Sequence, residues 1–259
     1  MNFVLKTIAA SAALLTVGMT ASIAQDTVKV GVAAEPYPPF TVPSASGEWT
    51  GWEIEIMQAL CDEAKLTCEV TPTSWDGIIP ALTSGKIDMI VGSMSITEER
   101  LQTIDFSKKY YNTPTAVVAA KGAGLKPMNE SLSGKRLGVQ VSTVHENYAD
   151  KHFGDADIKT YQTQDEANQD LVSGRIDAIQ ADAIALEAFL ESADGKACCE
   201  MMGNVEEDEA VLGAGVGVGF RKGDDELEEK INAAIVAIRE NGTYEEISKK
   251  YFDFDIYGD

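Results

Sequence analysis

Apolar residues recur along this chain in two rhythms. VKVGVA (28–33), CEVTPT (68–73) and DMIVGS (88–93) alternate every second residue or run apolar, as strands do, whereas WEIEIMQALCDEA (52–64) and DGIIPALTSG (76–85) repeat at helical spacing. Strand and helix patterns take turns nearly throughout, which predicts an α/β fold built on mainly parallel strands. Ser74 or Asp76 is expected to cap the second of those helices and Gly85 to stop it. Near the C-terminus, DDELEEKINAAIVAIRE and TYEEISKKYF read as two further helices.

One unit occurs twice. LTSGKIDMIVGS (82–93) and LVSGRIDAIQAD (171–182) each read as a helix end, a Ser-Gly stop, a basic residue and a strand opening Ile-Asp-x-Ile. Two lobes built alike account for the pair; turn chemistry shared by many helix-to-strand joints is the plainer alternative. Passage between lobes falls to NTPTAVVAAKG (112–122) and EAVLGAGVGVGF (209–220), both read as crossing strands, with the last helices returning to the first lobe. The glycines of GAGVGVG miss the spacing of a dinucleotide-binding turn and fit a flexible or closely packed strand.

The N-terminus changes the setting. Lys6, the apolar run IAASAALLTVGM and the small residues ASIA before Gln25 form the pattern of a secretory signal peptide, cleaved after about Ala24. Its apolar core is shorter than the roughly 20 residues a membrane span needs, and no later stretch comes near that length. With no Cys before Cys61, a lipid anchor at the new N-terminus is not expected, and a periplasmic location is. A net charge of −21 disfavours nucleic acid and anionic lipid as partners. Cys61 and Cys68 enclose a loop short enough to close as a disulfide; for the adjacent Cys198 and Cys199, free thiols, a vicinal bridge and intermolecular contacts all stand open. The spacing lacks two separated C-x2-C pairs, so zinc is not expected, nor any other metal or cofactor.

Ligands of parallel α/β sheets bind beyond the carboxyl ends of the strands. Three such ends are legible: Gly92 to Thr97 after DMIV, Ser142 and Thr143 after RLGVQV, and Asp182 after IDAIQA. Thr97 reads as a helix cap followed by Glu98 and Glu99, with Arg100 within the first turn, and a guanidinium beside a helix start can hold both oxygens of a carboxylate. Read alone, Arg100 has the plainer reading of a surface partner of Glu98 or Asp105, since exposed ion pairs are common. Thr143 and Glu146 have the spacing of a capping box. Asp182 offers an anion for an ammonium, or merely another cap.

Taken together these residues resemble a known family. EPYPPF (35–40), GEWTGWEIEIMQALC (47–61), SWDGIIPALTSGKIDMIVGSMSITEER (74–100), LSGKRLGVQVSTVHENYA (132–149), RIDAIQADA (175–183) and NGTYEEISKKYFDFDIYGD (241–259) are similar, in order, to the periplasmic solute-binding proteins of polar amino-acid ABC transporters, the class of the lysine/arginine/ornithine- and histidine-binding proteins. The resemblance implies a two-lobe periplasmic-binding-protein type II fold, each lobe a mainly parallel sheet flanked by helices, closing over one amino acid. Lobe 1 would take 25–112 and 216–259, lobe 2 117–211, with hinge strands at about 113–116 and 212–215. By position Arg100 would hold the ligand carboxylate with Ser95 and Thr143, and Asp182 the ammonium with Ser93 and Ser95. Tyr37 and Trp52 would surround the side chain, and the Cys61–Cys68 spacing matches a family disulfide. The implied partners are a free amino acid and an inner-membrane ABC permease, met by a monomer without catalysis.

Departures bear on selectivity. Ala34 stands where the basic-amino-acid binders have Asp, with Glu35 beside it, reaching a distal cation or simply solvated. Gly92 replaces a family Ser, Ser142 a common Gly, and His145 lies near the second cap, at the surface or against a ligand side chain. Two other functions share the fold: a cyclohexadienyl dehydratase-like enzyme, although no common nucleophile pattern is visible, and a ligand-sensing module for a membrane receptor.

Overall fold

The computed structural model describes residues 27–258, so the expected signal segment lies outside the described residues. Twelve strands are present among the described residues: β1 (Val28–Ala33), β2 (Val42–Pro43), β3 (Trp49–Thr50), β4 (Cys68–Thr73), β5 (Met89–Ile90), β6 (Ile104–Phe106), β7 (Thr115–Ala120), β8 (Arg136–Gln140), β9 (Asp157–Tyr161), β10 (Ala178–Asp182), β11 (Cys199–Asn204) and β12 (Gly219–Arg221). Apart from the small β2–β3 hairpin they form two five-stranded sheets, ordered β4-β1-β5-β12-β6 and β11-β7-β10-β8-β9. In each sheet one strand runs against the other four, β12 in the first and β7 in the second. Reading one order backwards superposes the connectivity of the two, with β1 answering to β8 and β5 to β10.

The repeated unit occupies equivalent places in the two sheets, and its physical content is visible. After each helix end Gly85 and Gly174 take positive φ (75° and 70°), a left-handed step that glycine makes without steric cost. The aspartate of Ile-Asp-x-Ile then accepts from the first residue pair of the neighbouring strand: Asp88 Oδ2 from Lys29 N at 2.9 Å, Asp177 Oδ2 from Arg136 N at 2.8 Å. The preceding isoleucine packs onto a glycine of that strand. A Cβ on Gly31 would lie 2.3 Å from Ile87 Cδ1, and one on Gly138 2.6 Å from Ile176 Cδ1.

Helices cover both faces of both sheets. Trp52–Glu63 and Asp225–Glu240 bury Ile56, Leu60, Ile231 and Ile235 against Val30, Val32 and Phe220, so the C-terminal helices do return to the first sheet. Ile78–Thr83 covers its other face with Ile78 and Leu82 against Ile90 and Ile104. Neither Ser74 nor Asp76 caps that helix through its side chain; a 3-10 turn, Trp75–Gly77, leads into it instead. The second sheet lies between Val144–His152 on one side and Gln164–Val172 with Ala183–Glu191 on the other. Disulfides join Cys61 to Cys68, tying a helix end to β4, and Cys198 to Cys199.

Two segments connect the sheets. The first leaves β6 and enters β7, and the second leaves β11 and reaches β12. They meet where Val216 bridges both Tyr111 and Ser95. Thr115 and Ala116, at the end of the expected hinge strand, pair with Asp182 and Ala181 inside the second sheet. One expectation needs correction here. EAVL, read as strand, is a helical turn (Glu209–Leu212) beginning at Asp208, whose carbonyl accepts from Val211 N and Leu212 N.

Candidate ligand-binding cleft

The carboxyl ends of β5, β8 and β10 converge on one cleft between the sheets, as strand polarity requires. Beyond β5 the chain turns through Ser93, whose φ is 56°, to Thr97. Thr97 caps the short helix Glu98–Leu101, its hydroxyl accepting from Arg100 N at 3.2 Å. That turn aims the Arg100 side chain into the cleft. Nη1 donates to Ser95 O at 3.0 Å and Nη2 to Ser142 O of the other sheet at 3.2 Å, and the guanidinium carbon lies 5.5 Å from the centre of the Trp75 ring. Among the described residues Arg100 forms no ion pair, and Asp105, its alternative surface partner, is bonded to Lys222 at 2.6 Å. Burial pulls the guanidinium pKa down to about 10, against a weaker upward pull from Glu99. A half-buried cation offered only neutral acceptors is a seat for an anion.

Asp182 ends β10 at the start of helix Ala183–Glu191, yet its side chain makes no capping bond. The carboxylate faces the cleft, accepting from Tyr37 OH of the first lobe at 2.6 Å, with His145 Nε2 at 3.8 Å. Its side chain is only 14% exposed. His145 itself is buried, 6% exposed, and its Nδ1 lies 3.2 Å from Thr115 Oγ1, so the surface reading of this residue does not hold.

Thr143 accepts from Glu146 N at 3.2 Å and donates to Gln140 O at 2.7 Å. The box is shifted by one residue, for Glu146 Oε2 reaches back to Ser142 N at 2.6 Å. Ser142 has φ 60°, a conformation that explains why glycine suits this position. The first N–H groups of helix Val144–His152 lack intrahelical acceptors and border the cleft.

Trp52 is the one aromatic that sequence reasoning misplaced. It is fully buried in the first lobe, its indole N–H on Ser248 Oγ at 3.0 Å and its ring among Phe40, Tyr110, Tyr111, Tyr244 and Phe252. Gly51, at φ 116°, turns the helix start so that this side chain points into the core. The cleft tryptophan is Trp75, in the 3-10 turn just after β4, donating from Nε1 to Ser142 O at 3.1 Å. Its place beyond a strand's carboxyl end was the available signal. Tyr37 does border the cleft, with Gly92, Ser93, Ser95 and Glu35. At Gly92 a Cβ would approach nothing nearer than Ala33 N at 3.6 Å, so space does not demand glycine. Glu35 Oε2 is closed to solvent and has no hydrogen-bond partner among the described residues, and Gln140 and Gln164 line the same space.

Glu53 was also missed. It is wholly buried, with Oε1 accepting from Ser93 N at 2.7 Å and from Tyr110 OH, and Oε2 from Ser93 Oγ at 3.1 Å. Burial raises its pKa to about 7 against the pull of those donors. A glutamate in helical step with Met57, Leu60 and Cys61 on the buried face of its helix was the clue.

Residues 28–254 match the bacterial extracellular solute-binding proteins, family 3. The chain belongs to this family. An L-arginine-binding protein of Pseudomonas aeruginosa is 42% identical over 249 residues, 95% of each chain. The histidine-binding periplasmic protein of Salmonella typhimurium is 40% identical, covering 92% of this chain and 93% of its own. An ancestral arginine-binding protein, solved bound to glutamine, is 36% identical with a TM-score of 0.79, covering 88% of this chain and 98% of that one. Family membership places the two-lobe architecture and the cleft in one frame. Among the described residues no helix is long and apolar enough to cross a membrane.

Proposed function

We propose that this family 3 protein is a monomeric periplasmic receptor for a polar, basic L-amino acid or derivative, exported by a signal peptide cleaved after about Ala24, which hands its ligand to an inner-membrane ABC permease. The observation that carries the reading is the pairing of opposite, unfilled electrostatic needs across one cleft. Among the described residues Arg100 has no anion, and Asp182 stands at a helix start that it does not cap. A zwitterion satisfies both at once, its carboxylate on Arg100 with the N–H groups near Ser95 and Thr143, its ammonium on Asp182 with Ser93. Glu35 Oε2 supports a cationic group at the far end of the side chain, and the Trp75 and Tyr37 rings support its flat or aliphatic body.

Lobe 1 (25–112 and 216–259) and lobe 2 (117–211) would move about the meeting point of Tyr111 and Val216. Contacts already span the cleft: Arg100 and Trp75 to Ser142 O, and Tyr37 to Asp182. Ligand bonds made to both lobes together favour the closed form, which the permease would recognise. Binding without turnover fits the cleft, where Asp182 and Arg100 can hold the two ends of an amino acid. Calorimetry against the common amino acids and opines tests the proposal; binding of one basic amino acid is expected, and failure of every α-amino acid overturns it. Conversion of prephenate or arogenate would move the protein to the dehydratase class instead.

A further inference from the structure

Resting on the receptor reading above, a second carboxylate stands behind the ammonium seat. In the twin units 82–93 and 171–182, Ser93 occupies the place that Asp182 holds in the other lobe. The first lobe thus presents a hydroxyl where the second presents an anion. That hydroxyl is not independent, because Ser93 N and Oγ both donate to Glu53, which has no cation partner among the described residues. We propose that Glu53 is a positioning residue for capture of the ligand ammonium: when ionised it holds the Ser93 hydroxyl as a donor inward, leaving the oxygen lone pairs turned to the cleft, and when protonated it reverses that hydroxyl.

The reversal follows from hydrogen-bond counting. An ionised carboxylate accepts from Ser93 N, Ser93 Oγ and Tyr110 OH. A protonated one must donate once, and Ser93 Oγ on Oε2 is an acceptor within reach. The serine hydrogen then faces the ammonium, and the left-handed turn at Ser93 loses part of its support. Titratable groups facing Glu53 are Tyr110 and Tyr111 from the segment between β6 and β7, Tyr37 from the loop after β1, and Asp182 from the end of β10, with His145 behind Asp182. Burial holds all three tyrosines well above their usual range, so none of them titrates near neutrality. An ammonium beside Ser93 and Asp182 favours ionised Glu53, so binding below about pH 7 releases a proton.

Calorimetry with L-arginine and L-lysine from pH 8 to 5.5, in buffers of different ionisation heat, separates the two readings. Binding of either at pH 8 supports the receptor, and failure there of these two and of every other common α-amino acid, the profile being run on whichever one binds, overturns both. Affinity is expected to fall by about tenfold toward pH 5.5, with proton release, since one linked proton changes affinity by up to tenfold per pH unit. Tyr110→Phe removes a donor to Glu53 and is expected to shift the midpoint to higher pH, whereas His145→Asn is expected to keep the slope. Glu53→Gln should flatten the profile, and if it fails to fold, the Tyr110→Phe shift decides. A flat wild-type profile, an unmoved Tyr110→Phe midpoint, or a slope abolished by His145→Asn overturns the role of Glu53.

Discussion

Residues 82–93 in the first lobe and 171–182 in the second build their sheets by the same contacts. Asp88 and Asp177 each accept from a backbone N–H of the neighbouring strand, and each is paired to an arginine, Arg221 at 3.3 Å and Arg136 at 2.8 Å. Ile87 and Ile176 each fill the space over a glycine. At the last position, the one that reaches the cleft, the units oppose a hydroxyl to a carboxylate, Ser93 against Asp182. The lobes are alike where the backbone must turn and pair, and unlike where an asymmetric ligand would need a cation on one side and an anion on the other. At the start of helix Val144–His152 the place three residues past the cap, held by Arg100 in the first lobe, belongs to Glu146, which bonds back to Ser142 N and offers the cleft no cation.

That contrast is broken most strongly by removing either pole. Arg100→Ala is expected to weaken amino-acid binding by about 3 kcal/mol or more, over a hundredfold, as is usual for truncating one partner of a desolvated charge pair. Because Arg100 has no ionic partner among the described residues, the thermal midpoint should stay near the wild type; unchanged affinity by calorimetry would remove it from the site. Asp182→Asn should cost affinity comparably, and it also tests the Tyr37 bridge.

Next come the two tryptophans of the first lobe. Trp52→Ala empties a packed aromatic core and is expected to cost about 3–5 kcal/mol in denaturant unfolding. Trp75→Ala should leave stability nearly intact and weaken binding by about 1 kcal/mol through lost cation contact and ring surface. Swapped outcomes would return Trp52 to the cleft.

Smaller effects separate the caps. Thr143→Ala and Thr97→Ala should each cost about 1 kcal/mol of stability, measured by chemical denaturation, with affinity falling more for the variant whose helix start holds the ligand. The smallest concerns the twin aspartates. Arg136 holds the Asp177 carboxyl at about 2, well below its usual value. Its contribution is therefore present above the ordinary carboxylate range and lost as pH falls through about 2. Thermal melts between pH 4 and 2 should show Asp177→Asn less acid-sensitive than wild type, and equal slopes would deny the pairing its part.

Much of this was legible in the chain. The α/β alternation, the repeat and the strand ends carrying Arg100, Thr143 and Asp182 follow from local period and strand polarity. The misplaced Trp52 shows the limit, since whether an aromatic at a helix start meets a cleft or a core depends on the entry turn at Gly51, which one sequence does not display. Glu53, Gln140 and Gln164 look like ordinary polar positions until other segments close over them. EAVL reads as strand by composition, but it forms a helical turn that packs Val211 and Leu212 against the core of the second lobe.

Sheet order also dictates a sequence of events in folding. All strands of the second sheet come from one uninterrupted stretch, 115–204, whereas β6 of the first has β12 as its sheet neighbour, and β12 lies over a hundred residues further on. As the chain emerges N-terminus first, the second lobe can finish while β6 still waits with bare edges. Conditions that slow completion of synthesis should therefore expose Ile104–Phe106 to proteases and to sticking between chains before any other strand.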